Sequence, residues 1–155
     1  MEYDFATICL NGHVISYRTA NKQLFCEECG KKTFSYCPHC NSPIHGKAII
    51  PGVVDLTGYY EKPYYCYNCG EPYPWTRQII DHAVELASLD EELTEEDIKL
   101  IKEAIPDLIV ETPTTPLAVV KYKKGISNAS SFVIEGLKQI LFGVLAEVAK
   151  RAIFP

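Results

Sequence analysis

The chemistry-bearing residues of this chain are its cysteines, most of which occur in pairs with two residues between them. Three pairs read CEEC, CPHC and CYNC, and a further cysteine begins the segment CLNGH. Thiolate sulfur and imidazole nitrogen are the usual ligands of tetrahedral zinc, and such spacings are typical of zinc sites. The predicted ligands are Cys9, His13, Cys26, Cys29, Cys37, Cys40, Cys66 and Cys69. Eight ligands divide into two four-ligand sites, so the sequence predicts two structural Zn²⁺ ions per chain.

The N-terminus supports metal binding over disulfide bonding. The chain begins MEYDFATICL, which is acidic and lacks the basic n-region of a secretory signal. We therefore expect a cytoplasmic protein, in which cysteines stay reduced. The odd number of cysteines, seven, also fits a closed set of disulfides poorly.

The residue after each cysteine pair is suited to a tight turn. Gly30, Asn41 and Gly70 occupy these positions, and both residue types tolerate a positive φ angle. A turn of this kind lets backbone N–H groups face the thiolate sulfurs. Each pair is therefore predicted to form a zinc knuckle.

The sequence leaves two features of the metal sites undecided: the eighth ligand and the grouping of the cysteine pairs. His45 follows Cys40 by five residues and is an alternative to His13 as the eighth ligand. The pairs could be grouped sequentially along the chain or interleaved as in cross-brace domains. The segment VISYRTANKQLF, between His13 and Cys26, is typical of a zinc-ribbon hairpin and favours sequential grouping.

Aromatic residues surround the last knuckle in the segment YYEKPYYCYNCGEPYPW. Rings can anchor a protein interface, stack on bases, or cover a metal site as core. The residues of this segment and of the C-terminal helix that we predict for an interface are Tyr64, Tyr65, Tyr67, Tyr73, Trp75, Phe142 and Leu145.

The pattern of the second half of the chain is helical. Residues 76–89 and 94–105 carry apolar stripes, with Thr94 as a predicted N-cap and Pro106 as a predicted end. TPTTP at 112–116 is typical of an extended linker. Residues 128–154 predict one long helix whose segment ILFGVLA is apolar on every side and so requires a covering surface.

These elements together predict an α+β chain in two parts. Residues 1–75 would form a small β-rich, double zinc-knuckle or zinc-ribbon domain. Residues 76–155 would form a helical domain of about three helices with a long apolar C-terminal helix. Self-association or a protein partner at that last helix is the expected way to cover it.

The motif set resembles a known family. The strings CLNGHVI, FCEECG, CPHC, PGVV and YCYNCGEPYPWT are similar to those of small bacterial proteins classed as domain of unknown function 2321. The resemblance covers mainly residues 5–77. It implies a double zinc-binding N-terminal region with the eight ligands already named, and it implies no activity.

Composition and motifs favour a non-catalytic adaptor or assembly subunit. The formal net charge is −5, which is unfavourable for a protein that covers phosphates. The ligands saturate both sites, and no nucleophile elbow, phosphate loop or H-E-x-x-H motif occurs. A nucleic-acid-binding zinc ribbon is the first alternative. A membrane-acting effector that uses the last helix is the second.

Overall fold

A computed structural model describes all residues, Met1 to Pro155. The chain divides into two compact units, Met1–Gln78 and Ile79–Pro155. All strands lie in the first unit, and the helices lie in the second apart from the start of the first helix at Pro74, so the predicted α+β class is confirmed.

Five short strands build the N-terminal unit. They are β1 Glu2–Phe5, β2 Thr7–Cys9, β3 Val14–Ser16, β4 Thr33–Phe34 and β5 His45–Ile49. The antiparallel pair β1–β5 forms one sheet, and the antiparallel order β3–β2–β4 forms the other. Strands this short bury little surface, so the unit needs a further source of stability.

The hairpin lies in a different place from the one predicted. The segment 17–25 contains no strand, and β3 pairs instead with the preceding strand β2, with Ile8 opposite Val14. The turn between them contains Asn11 and Gly12, and Gly12 has a φ of +87°. Asn-Gly is a stronger turn signal than Ala-Asn because glycine adopts positive φ without a steric penalty.

Five helices follow, where about three were predicted. They are α1 Pro74–Ser88, α2 Glu95–Ile109, α3 Thr115–Gly125, α4 Ser131–Leu141 and α5 Glu147–Ile153. No helix is both long and apolar enough to cross a membrane.

Helix α2 starts as predicted and ends later. Thr94 and Asp97 form a capping box, in which each side chain accepts a hydrogen bond from the backbone N–H of the other residue. The prediction that Pro106 ends the helix is wrong, because α2 continues to Ile109. Leu108 and Ile109 are both buried in the extra turn. Their burial offsets the hydrogen bond that proline cannot donate.

The TPTTP segment is also more structured than predicted. Helix α3 begins at Thr115, with Pro116 in its first turn, where the missing N–H has no cost. The Thr115 hydroxyl donates to the Asp107 carbonyl at 2.7 Å and accepts from the Thr112 N–H at 2.9 Å. These bonds hold a tight corner between α2 and α3, where the sequence predicted an extended linker.

The predicted long C-terminal helix is two helices, and the prediction of a single one is wrong. The chain leaves α4 after Leu141, and the Ala146 N–H donates to the Leu108 carbonyl at 2.8 Å before α5 begins. Leu141 is fully buried and Leu145 is 7% exposed, whereas Phe142 is 45% exposed. The break lets the apolar segment bury both Leu141 and Leu145 while Phe142 stays partly exposed.

Candidate metal centres

The three knuckles share one backbone geometry. Gly30, Asn41 and Gly70 have φ angles of +73°, +61° and +76°. In each knuckle the N–H of this residue donates to the carbonyl of the first cysteine, at 2.8–2.9 Å. An isolated β-bridge closes each knuckle at its base, as between Phe25 and Lys32. The local sequence therefore shapes each knuckle in the same way.

The first cluster joins one knuckle to the β2–β3 turn. Cys9 ends β2, and the Asn-Gly turn brings the His13 Nδ1 atom to 3.5 Å from the Cys9 Sγ atom. His13 Nδ1 lies 3.6 Å from Cys26 Sγ, and Cys29 Sγ lies 3.7 Å from Cys9 Sγ. All four ligand atoms lie within 4.8 Å of one another.

The second cluster joins the other two knuckles. The Sγ atoms of Cys37 and Cys69 are 3.8 Å apart, and those of Cys40 and Cys66 are 3.6 Å apart. Cys37 and Cys66 are each only 3% exposed and belong to the hydrophobic core of the unit. The ligand atoms again lie within 4.8 Å of one another, and the grouping is the sequential one predicted.

Both clusters have the dimensions of a tetrahedral metal site. With Zn–S near 2.3 Å and Zn–N near 2.0–2.1 Å, tetrahedral geometry separates two sulfurs by about 3.8 Å and sulfur from nitrogen by about 3.6 Å. Three sulfur–sulfur pairs are 3.6–3.8 Å apart, two sulfur–nitrogen pairs are 3.5–3.6 Å apart, and all other pairs lie within 4.8 Å. A disulfide needs about 2.05 Å, and all seven cysteines are free. The donor sets therefore fit two metal ions.

Polar neighbours favour the thiolate form that a metal needs. The Lys31 backbone N–H lowers the pKa of Cys29 to about 6. The side chains of Ser42 and then Asn68 lower the pKa of Cys40 to about 6. Each cluster therefore has at least one thiol that loses its proton readily near neutral pH, whereas burial raises the pKa of Cys9.

Lys62 is a residue near the first cluster that sequence reasoning missed. Its ammonium group donates to the Gly12 carbonyl at 2.7 Å, inside the turn that holds Cys9 and His13. Burial lowers the pKa of Lys62, while the charge of Cys9 acts in the opposite direction. A cation here offsets the negative charge of three thiolates. The sequence carries no signal for it, because a single lysine among tyrosines has no characteristic spacing.

His45, the alternative eighth ligand, is held elsewhere. Its ring is stacked between Tyr3 and Tyr67, with centroids 4.0 Å and 3.8 Å away and planes inclined by 9° in both cases. His13 is the histidine that completes a cluster.

The predicted interface residues divide between core and surface. Tyr73 and Trp75 are each 1% exposed, and Leu145 is 7% exposed, so these three pack inside their own units. Tyr64 and Tyr65 are half-buried. Tyr67 and Phe142 are 54% and 45% exposed.

Replacing His13 and His45 by alanine, one at a time, tests which histidine completes the first cluster. We expect His13→Ala to reduce the zinc content of the purified protein to about one ion per chain, because it removes one of four ligands. His45→Ala should keep the zinc content of the wild-type protein, although it removes a stacked ring. Elemental analysis by mass spectrometry measures both. The reverse result would transfer the eighth ligand to His45.

Comparison with known proteins gives one match. Residues 2–153 match the family DUF2321, described as an uncharacterized protein conserved in bacteria. No curated protein and no solved structure matches the chain significantly. The match extends over both units, whereas the motif resemblance covered mainly residues 5–77, and it confirms that resemblance.

Proposed function

The chain belongs to the DUF2321 family of proteins conserved in bacteria, and we propose that it is a non-catalytic adaptor with two structural zinc ions. In this proposal the ions hold the N-terminal unit rigid, so that it presents an apolar surface to a protein partner. The observation that carries the proposal is the pair of complete four-ligand clusters. Catalytic zinc sites keep one position open for water or substrate, whereas structural sites have four protein ligands.

Zinc is the metal that best fits both donor sets. Tetrahedral sites rich in thiolate select zinc or iron–sulfur clusters. The first cluster has three sulfurs and one nitrogen, a set common in structural zinc sites. Zinc supplies no redox chemistry, and its role in these sites is to cross-link the segments that carry the ligands.

The proposed partner surface lies in the segment between β5 and the last knuckle. We call residues 50–56 the apolar loop. Its large side chains Ile50, Val53, Val54 and Leu56 are 55%, 59%, 82% and 89% exposed. Four such side chains within seven residues are unusual on a surface that faces only water, and clusters of this kind mark interaction sites.

The apolar loop is anchored to the strands beside it. Asp55 forms an ion pair with Lys47, at 2.7 Å between the Nζ and Oδ2 atoms. The Arg18 guanidinium donates to the Asp55 carbonyl at 2.9 Å. Just beyond the loop, the Tyr17 hydroxyl donates to the Gly58 carbonyl at 3.1 Å. A loop held in this way loses less conformational entropy on binding than a free one.

The charge of the metal-binding part gives no support to a nucleic-acid role. Residues 1–77 contain seven basic and seven acidic side chains. Two thiolate-rich zinc sites would add negative charge, since four thiolates exceed the charge of one Zn²⁺. A nucleic-acid binder normally concentrates lysine and arginine on one face.

A capture experiment with matched variants tests the adaptor role. The double variant Val54→Asp, Leu56→Asp adds charge to the apolar loop, and Phe132→Asp adds charge at a residue that is 79% exposed in the helical unit. Each tagged protein is expressed at native level, and its bound proteins are quantified by mass spectrometry. We expect at least one protein captured by the wild type to fall about tenfold with the double variant, a change of about 1.4 kcal/mol, and to persist with Phe132→Asp.

Zinc content and nucleic-acid binding serve as controls. Both variants should retain two zinc ions, which shows that the N-terminal unit is folded. Equal capture by the wild type and the double variant would contradict the role of the apolar loop. Tight, sequence-dependent binding to DNA or RNA in a gel shift at physiological salt would replace the adaptor with the nucleic-acid alternative.

A further inference from the structure

One buried polar atom of the N-terminal unit has no hydrogen-bond partner. Tyr73 is 1% exposed, and its hydroxyl oxygen is buried without an acceptor or donor. Other tyrosine hydroxyls of the unit are satisfied: the Tyr60 hydroxyl donates to the His45 carbonyl, and that of Tyr17 to Gly58. Buried hydroxyls rarely stay unpaired, so we expect the Tyr73 hydroxyl to have a hydrogen-bond partner in the functional state of the protein.

The core that surrounds Tyr73 includes two ligands of the second metal cluster. Tyr73 shares the hydrophobic core with Cys37 and Cys66, and its ring stacks on that of Trp75 with centroids 4.8 Å apart. A phenolic hydroxyl can donate one hydrogen bond, so the buried Tyr73 hydroxyl is a free donor beside these cysteines. Sulfur can accept a hydrogen bond, and Cys37 and Cys66 are the sulfur-bearing residues buried in the same core.

The backbone holds Tyr73 in place independently of its hydroxyl. The Tyr73 N–H donates to the Tyr64 carbonyl at 3.0 Å, and the N–H groups of Thr76 and Arg77 donate to the Tyr73 carbonyl at 2.9 and 3.0 Å. The adjacent bridge between Tyr65 and Pro72 closes the knuckle that carries Cys66 and Cys69. Tyr73 is therefore connected to this knuckle through the main chain.

We propose that Tyr73 is a positioning residue for the second zinc ion, whose hydroxyl donates a hydrogen bond to the Cys66 thiolate when the metal is bound. The proposal rests on the proposed zinc at this cluster. Four thiolates around one Zn²⁺ leave a net charge of about −2, and a donor to one sulfur stabilises that charge. Groups that hydrogen-bond metal ligands in this way typically contribute 10–100-fold to metal affinity.

The test compares two hydroxyl deletions in the full chain. Tyr73→Phe keeps the ring that stacks on Trp75, and Tyr60→Phe removes a hydroxyl whose acceptor is a carbonyl. Each protein is loaded with Co²⁺ to record the sulfur-to-metal charge-transfer band, and with Zn²⁺ to follow metal transfer to a chromogenic chelator. For Tyr73→Phe we expect the band to move to longer wavelength and one of the two zinc ions to leave about 10–100-fold faster. Tyr60→Phe should match the wild type in both measurements.

Each outcome has a distinct meaning. An unchanged band and release rate in Tyr73→Phe, with two metals bound, would overturn the role of Tyr73 and leave the zinc proposal intact. The same changes in Tyr60→Phe would also overturn it, because they would follow from any lost hydroxyl in this core. Fewer than two metals in the wild-type protein would overturn the zinc proposal itself, before any variant is compared.

Discussion

Replacing Cys37 by serine should leave the protein with one zinc ion and unfold the part of the Met1–Gln78 unit that surrounds the second cluster. Cys37 is 3% exposed and lies in the hydrophobic core together with Cys66. The strands of this unit are two to five residues long, so the proposed zinc ions would supply much of its stability. Binding of a structural zinc ion is worth about 10–16 kcal/mol, which is comparable to or greater than a typical domain stability of about 5–15 kcal/mol.

His39→Ala is the matched control for Cys37→Ser. His39 lies in the same knuckle, but it is exposed and takes no part in either cluster. This variant should therefore keep two zinc ions and the wild-type fold. Elemental analysis gives the metal content, and hydrogen exchange measured by mass spectrometry gives the protection of residues 1–78. Two zinc ions or full protection in Cys37→Ser would show that the second cluster is not a structural site.

Leu141→Ala should lower the free energy of unfolding of the helical unit by about 2–5 kcal/mol. Leu141 is fully buried at the end of α4, and Leu137 on the same face is fully buried too. The truncation leaves a cavity that the neighbouring helices fill only in part. The loss is a large fraction of a typical domain stability of about 5–15 kcal/mol.

Phe142→Ala at the next position provides the comparison. Phe142 is 45% exposed, and its ring contacts that of Phe154 at 5.9 Å between centroids and the Lys150 ammonium at 4.5 Å. Its truncation should cost less than that of Leu141. Urea unfolding followed by far-ultraviolet circular dichroism measures both. A larger loss for Phe142→Ala would mean that the apolar segment ILFGVLA buries the opposite face to the one in the structure.

The helical unit illustrates where local patterns succeed and where they fail. The capping box at Thr94 was predictable because its hydrogen bonds join residues three apart. The continuation of α2 beyond Pro106 and the break after Leu141 were not. Both depend on contacts distant in sequence, such as the Ala146 N–H with the Leu108 carbonyl. Local propensity is a weak guide where tertiary packing opposes it.

The aromatic segment 59–75 shows a similar division. Its composition predicted rings at an interface or in the core, and no periodicity distinguished the two roles for Tyr73, Trp75 and Tyr67. The structure buries the first two and exposes the third. The apolar loop was missed altogether, because PGVVDL has the composition of an ordinary buried segment.

The sequence by itself determined the seven cysteine ligands and the shape of each knuckle. A cysteine pair and the following Gly or Asn form a closed turn within five residues, so spacing and residue type suffice. Only the tertiary structure decided which knuckles share a cluster, that His13 and not His45 completes the first, and that Tyr73 lies in the core beside the second. These outcomes depend on distances between segments far apart along the chain, and the packing of the whole unit sets them.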